Sequence, residues 1–184
     1  MAMHSSMLPL GTVAPDFTLP DTISGKILSL NDLKSPLGTV IVFICNHCPY
    51  VKHILPKLLE ASKAYQKQNI QFIAINSNDA INYPDDSPEN MQKLAHIWNF
   101  TFPYLFDESQ DIARAYQAEC TPDFYLFDKD LRCVYRGRFD DATPKNNIPV
   151  TGKDLCQAID DLIANNPIHS QQYSSIGCGI KWKS

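Results

Sequence analysis

The fold is decided by Val40-Ile41-Val42-Phe43-Ile44-Cys45-Asn46-His47-Cys48-Pro49-Tyr50-Val51. Its first five residues are apolar and mostly β-branched, with no polar position on either face, as in a strand covered on both sides at the centre of a sheet. Beyond Pro49, Val51, Ile54, Leu55, Leu58 and Leu59 recur at i, i+3, i+4, i+7 and i+8, the stripe of an amphipathic helix running to about Gln68 and bent at Pro56. Ile70 to Ile75 supplies a second buried strand. Strand, helix, strand in that order implies a parallel crossover and an α/β class.

Working outward, Asp16 to Leu30 reads as an N-terminal hairpin around Ser24-Gly25-Lys26, with Phe17, Leu19, Ile27 and Leu28 as its apolar side chains. Downstream, Ser87-Pro88-Glu89 caps a helix reaching about Trp98. A short helix follows at Asp111–Gln117. Phe124–Phe127 and Cys133–Phe139 form a hairpin, which makes the sheet mixed. Thr151 and Asp154 cap a last helix with the stripe Leu155, Ile159, Leu162 and Ile163. We expect one domain over residues 8–167 and a mobile tail over 168–184 that carries Cys178.

The 184 residues have room for one core, and 16 Lys plus Arg against 20 Asp plus Glu give a net charge of −4, with no pull toward nucleic acid or anionic lipid. The longest unbroken apolar run, Val40 to Cys45, is too short for a membrane helix. The first twenty residues show no basic start and no long apolar run, so the expected compartment is the cytosol. Six Cys are too few for a disulfide-stapled scaffold, so each thiol is either a small core residue or chemistry.

Chemistry is expected at Cys45 and Cys48. Free backbone N–H groups at a helix start stabilise an anion, so Cys45 is expected to be an exposed, readily ionised nucleophile. Cys48, one turn into the helix, could resolve a mixed disulfide on Cys45 and so close a dithiol–disulfide cycle that needs no cofactor. His47 adds partial positive charge beside both sulfurs, which favours thiolate over disulfide. A rival reading is a metal-binding module using Cys45 and Cys48 with His47, His53 or Cys120, although a second C-x-x-C is missing. Thr121-Pro122, read alone, is expected to be trans. Cys133 and Cys156 read as packing residues. Arg136 and Arg138, followed by Asp140 and Asp141, read as a solvated strand end.

Several stretches together resemble the thioredoxin superfamily and its peroxiredoxin-like branch, the alkyl hydroperoxide reductase and thiol-specific antioxidant relatives. They are Gly11–Phe17, Cys45–Val51, Asn76–Asp79 with Tyr83–Glu89, Cys120–Phe124, Tyr135–Arg138 and Ser175–Trp182. The resemblance implies a thioredoxin-like fold, a central mixed sheet flanked by helices, in which Cys45 and Cys48 are the redox pair. It also implies that Thr121-Pro122 is a cis-proline loop facing the pair, where an extended substrate pairs by strand addition, and that Cys120 lies close by. His47 before the second cysteine is similar to the arrangement in protein disulfide isomerases. Peroxiredoxins carry Pro-x-x-x-Thr-x-x-Cys. Counting back from Cys45 meets Val42 and Gly38, and from Cys48 meets Cys45 and Ile41, so neither frame matches.

The leading expectation is therefore a thiol-disulfide oxidoreductase acting on a protein or small-molecule disulfide, with electrons from an external thiol donor. Thiol peroxidase activity, through a Cys45 sulfenic acid resolved by Cys48, is the alternative. Cys178, flanked by Gly177 and Gly179, is a further resolving thiol on this reading, able to swing to a site on its own chain or on a second copy in a homo-oligomer.

Overall fold

The computed structural model describes residues 2–184. Its elements are β1 (Ala2–His4), β2 (Thr18–Pro20), β3 (Ile27–Ser29), α1 (Leu30–Leu33), β4 (Gly38–Phe43), α2 (Pro49–Gln66) and β5 (Ile70–Asn76), then α3 (Pro88–Ile97), β6 (Tyr104–Phe106), α4 (Asp111–Ala115), β7 (Cys120–Thr121), β8 (Asp123–Asp128), β9 (Cys133–Gly137), α5 (Lys153–Ile163) and β10 (Ile176–Gly179). The five-stranded sheet has the order β6-β5-β4-β8-β9. β4 pairs parallel with β5 and antiparallel with β8, so the sheet is mixed and β4 lies at its centre, as its sequence demands.

The side-chain period of two splits each central strand between two cores. Val40, Val42, Phe72, Ala74, Phe124 and Leu126 face the layer that holds α2, α3 and α5. Ile41, Phe43, Ile73, Ile75, Tyr125 and Phe127 face the layer built by Leu8, Phe17, Leu30 and Tyr116. This is the thioredoxin-like arrangement, with the β2–β3 hairpin as an N-terminal addition. No described helix is long and apolar enough to cross a membrane.

Several local expectations need correction. α2 continues through Pro56 but ends at Gln66. Ile27 is 64% exposed and belongs to no core. Ser87 caps α3 as expected, accepting from the Asn90 N–H. The last helix has a different start: Gly152, in the left-handed region at φ +72°, is its N-cap. The buried Asp140 carboxylate takes the Thr151 and Gly152 N–H groups at 2.8 and 2.6 Å, the Thr151 hydroxyl accepts from the Lys153 N–H at 3.3 Å, and the Asp154 and Leu155 N–H groups go to the Phe139 carbonyl. Nor is Arg136–Asp141 a solvated strand end. The Arg136 guanidinium donates to the Leu8 carbonyl and to Gln172, and Arg138 pairs with Asp154 and lies over the Tyr173 ring. Thr121-Pro122 is cis, as the resemblance implies and against the expectation from the dipeptide alone.

The largest correction concerns the tail. Residues 176–179 form β10, the middle strand of a three-stranded sheet ordered β1-β10-β7. Beyond it, Ile180 is buried and Trp182 packs under the Arg114 guanidinium.

Candidate active site: the Cys45–Cys48 loop

Ile44 ends the central strand by donating its N–H to the Ile75 carbonyl, and the chain turns at Cys45-Asn46-His47 into α2. Cys48 is the N-cap of α2, one residue before the first helical position, with Pro49 at that position, where a missing N–H costs nothing. Its carbonyl accepts the Lys52 N–H at 3.0 Å. Cys48 is therefore the cysteine at the helix start, and Cys45 sits one loop earlier on the strand side.

Thr121 meets both sulfurs. Its hydroxyl is 3.3 Å from Cys45 Sγ, and its carbonyl accepts from the Cys48 thiol at 3.2 Å. Both cysteines are buried, at 1% and 0% exposure, so the expected exposed Cys45 is not what the fold provides. The two buried thiols titrate as a pair. Their interaction draws Cys48 below the ordinary thiol range and pushes Cys45 above it, and burial and the Asp86 carboxylate add to the rise at Cys45. Cys48 is thus the more acidic of the two thiols, where the sequence reading expected Cys45.

Asp86, fully buried, is the residue that sequence reasoning missed. Its Oδ1 accepts from the Asn46 N–H at 2.7 Å and from Asn76 at 3.2 Å, and its Oδ2 accepts from Asn78 at 2.8 Å. His47 Nδ1 lies 2.6 Å from the same Oδ2, and its ring stacks on Tyr83. Tyr104 closes the group by donating to Asn46 Oδ1 at 2.9 Å. The stretches Asn76–Asp79 and Tyr83–Glu89 signalled these residues without giving them a role. His47 therefore does not act alone on the sulfurs, because the Asp86 carboxylate faces its ring.

Among the described residues, the donors expected for a metal assemble only in part. Cys45, His47 and Asp86 place ligand atoms within 4.8 Å of one another, whereas Cys48, His53 and Cys120 fall outside this group. Both Asp86 oxygens already have hydrogen-bond partners, so the cluster is satisfied by protein groups. Cys120 is buried in β7, and burial and the nearby Asp123 push its thiol up, which makes it a poor nucleophile. Cys178, half-buried, lies opposite Thr121 in the strand register and packs against the core cluster that holds Cys48. Cys133 is buried and its thiol is pushed up to about 12, in keeping with a packing role.

Comparison with known proteins agrees with this layout, since residues 10–136 match the AhpC/TSA family. The chain belongs to the AhpC/TSA family. Among solved structures, this AhpC/TSA chain is similar to an uncharacterized conserved protein from Geobacillus kaustophilus, at 53% identity and TM-score 0.98 over 100% of this chain and 97% of the other. It is also similar to a hypothetical protein from Sinorhizobium meliloti 1021, at 41% identity and TM-score 0.95 over 98% of each chain. A curated relative, thiol-disulfide oxidoreductase ResA of Geobacillus thermodenitrificans, is 29% identical over 128 residues, 69% of this chain and 68% of ResA. Val42 and Gly38, where a peroxiredoxin motif ending at Cys45 would place Thr and Pro, lie buried in β4.

Proposed function

We propose that the protein is a thiol-disulfide oxidoreductase whose Cys45 and Cys48 alternate between dithiol and disulfide. The observation that carries this reading is the convergence of both thiols on Thr121, Cys45 on its hydroxyl at 3.3 Å and Cys48 on its carbonyl at 3.2 Å. In the reducing direction the pair gives two electrons and two protons to a substrate disulfide. One sulfur forms a mixed disulfide and releases the first substrate thiol, and the other sulfur then displaces the second. The protein is left with a Cys45–Cys48 disulfide, which an external thiol donor reduces again. The ResA relationship supports this chemistry, and a protein disulfide is the substrate class it favours. Thiol peroxidase activity is less favoured, because neither cysteine carries the peroxiredoxin motif.

The test is turnover of a protein disulfide with dithiothreitol as donor. Wild type is expected to accelerate the reaction, and Cys45→Ser and Cys48→Ser to abolish the acceleration. Full turnover by Cys45→Ser would overturn the reading.

A further inference from the structure

We propose that Cys178 is a third exchange thiol, passing electrons between solvent-borne thiols or disulfides and the buried Cys45–Cys48 pair. This rests on the functional reading above and names the route by which its site is reached.

The strand register is the first support. β10 pairs antiparallel with β7, with Cys178 opposite Thr121 and Gly179 opposite Cys120. Thr121 is the residue whose carbonyl and hydroxyl contact Cys48 and Cys45. The tail thus occupies the edge where an added strand would meet the pair, and it presents a cysteine there. Gly177 lets the strand lie this close, because a Cβ at that position would overlap the Thr121 carbonyl. β1 holds the other edge of β10, and the Ser175 N–H donates to the Ser5 hydroxyl at 2.9 Å.

Access is the second support. Cys45 and Cys48 are covered, whereas Cys178 is partly exposed and packs against the core cluster that holds both. A reagent arriving from water meets Cys178 first. Burial, then the hydrogen bond to Cys48 and the Cys48 charge, hold the Cys178 thiol up, and Lys181 opposes them. The two Cys48 effects disappear once Cys48 enters a disulfide, so Cys178 ionises more easily when there is a disulfide for it to attack.

The exchange balances as follows. Cys178, as thiolate, attacks Cys48 Sγ of the oxidised pair. The Cys48–Cys178 bond forms, the Cys45–Cys48 bond breaks, and Cys45 leaves as thiolate and takes up the proton that Cys178 gave. An external thiolate then attacks Cys178 Sγ, releasing Cys48 and forming a mixed disulfide, which a second external thiol resolves to an external disulfide and Cys178. Two external thiols have lost two electrons and two protons, and Cys45 and Cys48 have gained them. Run backward, the same steps carry oxidation inward from an external disulfide.

The experiment oxidises the full chain with diamide at low protein concentration and maps the disulfides by peptide mass spectrometry. Cys45→Ser and Cys45→Ala are each expected to give an intramolecular Cys48–Cys178 disulfide in most chains. In parallel, the oxidised pair of Cys178→Ser and Cys178→Ala is expected to be reduced by dithiothreitol roughly tenfold more slowly than that of wild type. A Cys48 that stays free, or pairs elsewhere, in both Cys45 variants overturns the relay, as does unchanged reduction in both Cys178 variants. A wild-type chain that forms no Cys45–Cys48 disulfide overturns the functional reading itself, and the relay falls with it. If that disulfide forms and the Cys48–Cys178 bond does not, only the relay falls.

Discussion

Asp86 is a carboxylate at 0% exposure surrounded by donors: the Asn46 N–H, the Asn76 and Asn78 amides and the His47 ring. Replacing one oxygen with NH₂ sets a donor among donors. Asp86→Asn is therefore expected to cost about 2–4 kcal/mol in urea unfolding, the range for a buried charged hydrogen-bond acceptor that is lost. The same change removes a negative charge that pushes Cys45 up, so the ionisation of Cys45 should move to lower pH when followed by thiolate absorbance. An unmoved titration would show that Asp86 acts only as scaffold. At this scale Cys45-Asn46-His47-Cys48 is legible because its chemistry lies within four consecutive residues. Asp86 is not, because it reaches Asn46 across 40 positions of sequence and only the folded chain brings them together.

Among the elements, β10 has the largest effect on the site, and it was not legible. Ser175–Ser184 has no hydrophobic period, and a short Gly-containing strand has little propensity of its own. It exists because β1 and β7, from distant parts of the chain, offer edges on both sides. Gly177→Ala is expected to push β10 away from Thr121, since the added methyl would overlap its carbonyl. The readout is alkylation of Cys48, which should quicken by about tenfold or more as local opening becomes easier. Wild-type and variant rates that agree would mean that the strand already opens freely. By contrast, α2 could be read from its own residues. Its stripe of Val51, Ile54, Leu55, Leu58 and Leu59 is buried as the period requires.

For the whole molecule, pH dependence is carried in part by Asp123, which lies directly after the cis-proline and is buried next to Tyr125, Cys120, Cys133 and Tyr135. Burial lifts its carboxyl from the ordinary 3.8 to about 7. Between those values the folded chain keeps a proton that the unfolded chain has lost. Stability therefore falls as pH rises through this window and levels off above it, by on the order of 4 kcal/mol in total. Asp123→Asn can still accept from the Tyr125 hydroxyl, which donates to Asp123 at 2.8 Å. Comparing unfolding midpoints of wild type and variant from about pH 5 to pH 8 should show the downward slope in wild type and its loss in the variant; parallel curves would assign the slope elsewhere.

The sequence alone determined the strand–helix–strand unit, the central place of β4 and the position of Cys45 and Cys48 at its junction with α2. Each of these is written in a period, a cap or a spacing within some twenty residues, where side-chain alternation and backbone hydrogen bonding are local. Tertiary structure alone decided which thiol is the more acidic, that Asp86 faces His47, that Thr121 touches both thiols and that the tail closes over them. These depend on fields and hydrogen bonds that fall off with distance in space and take no account of separation along the chain.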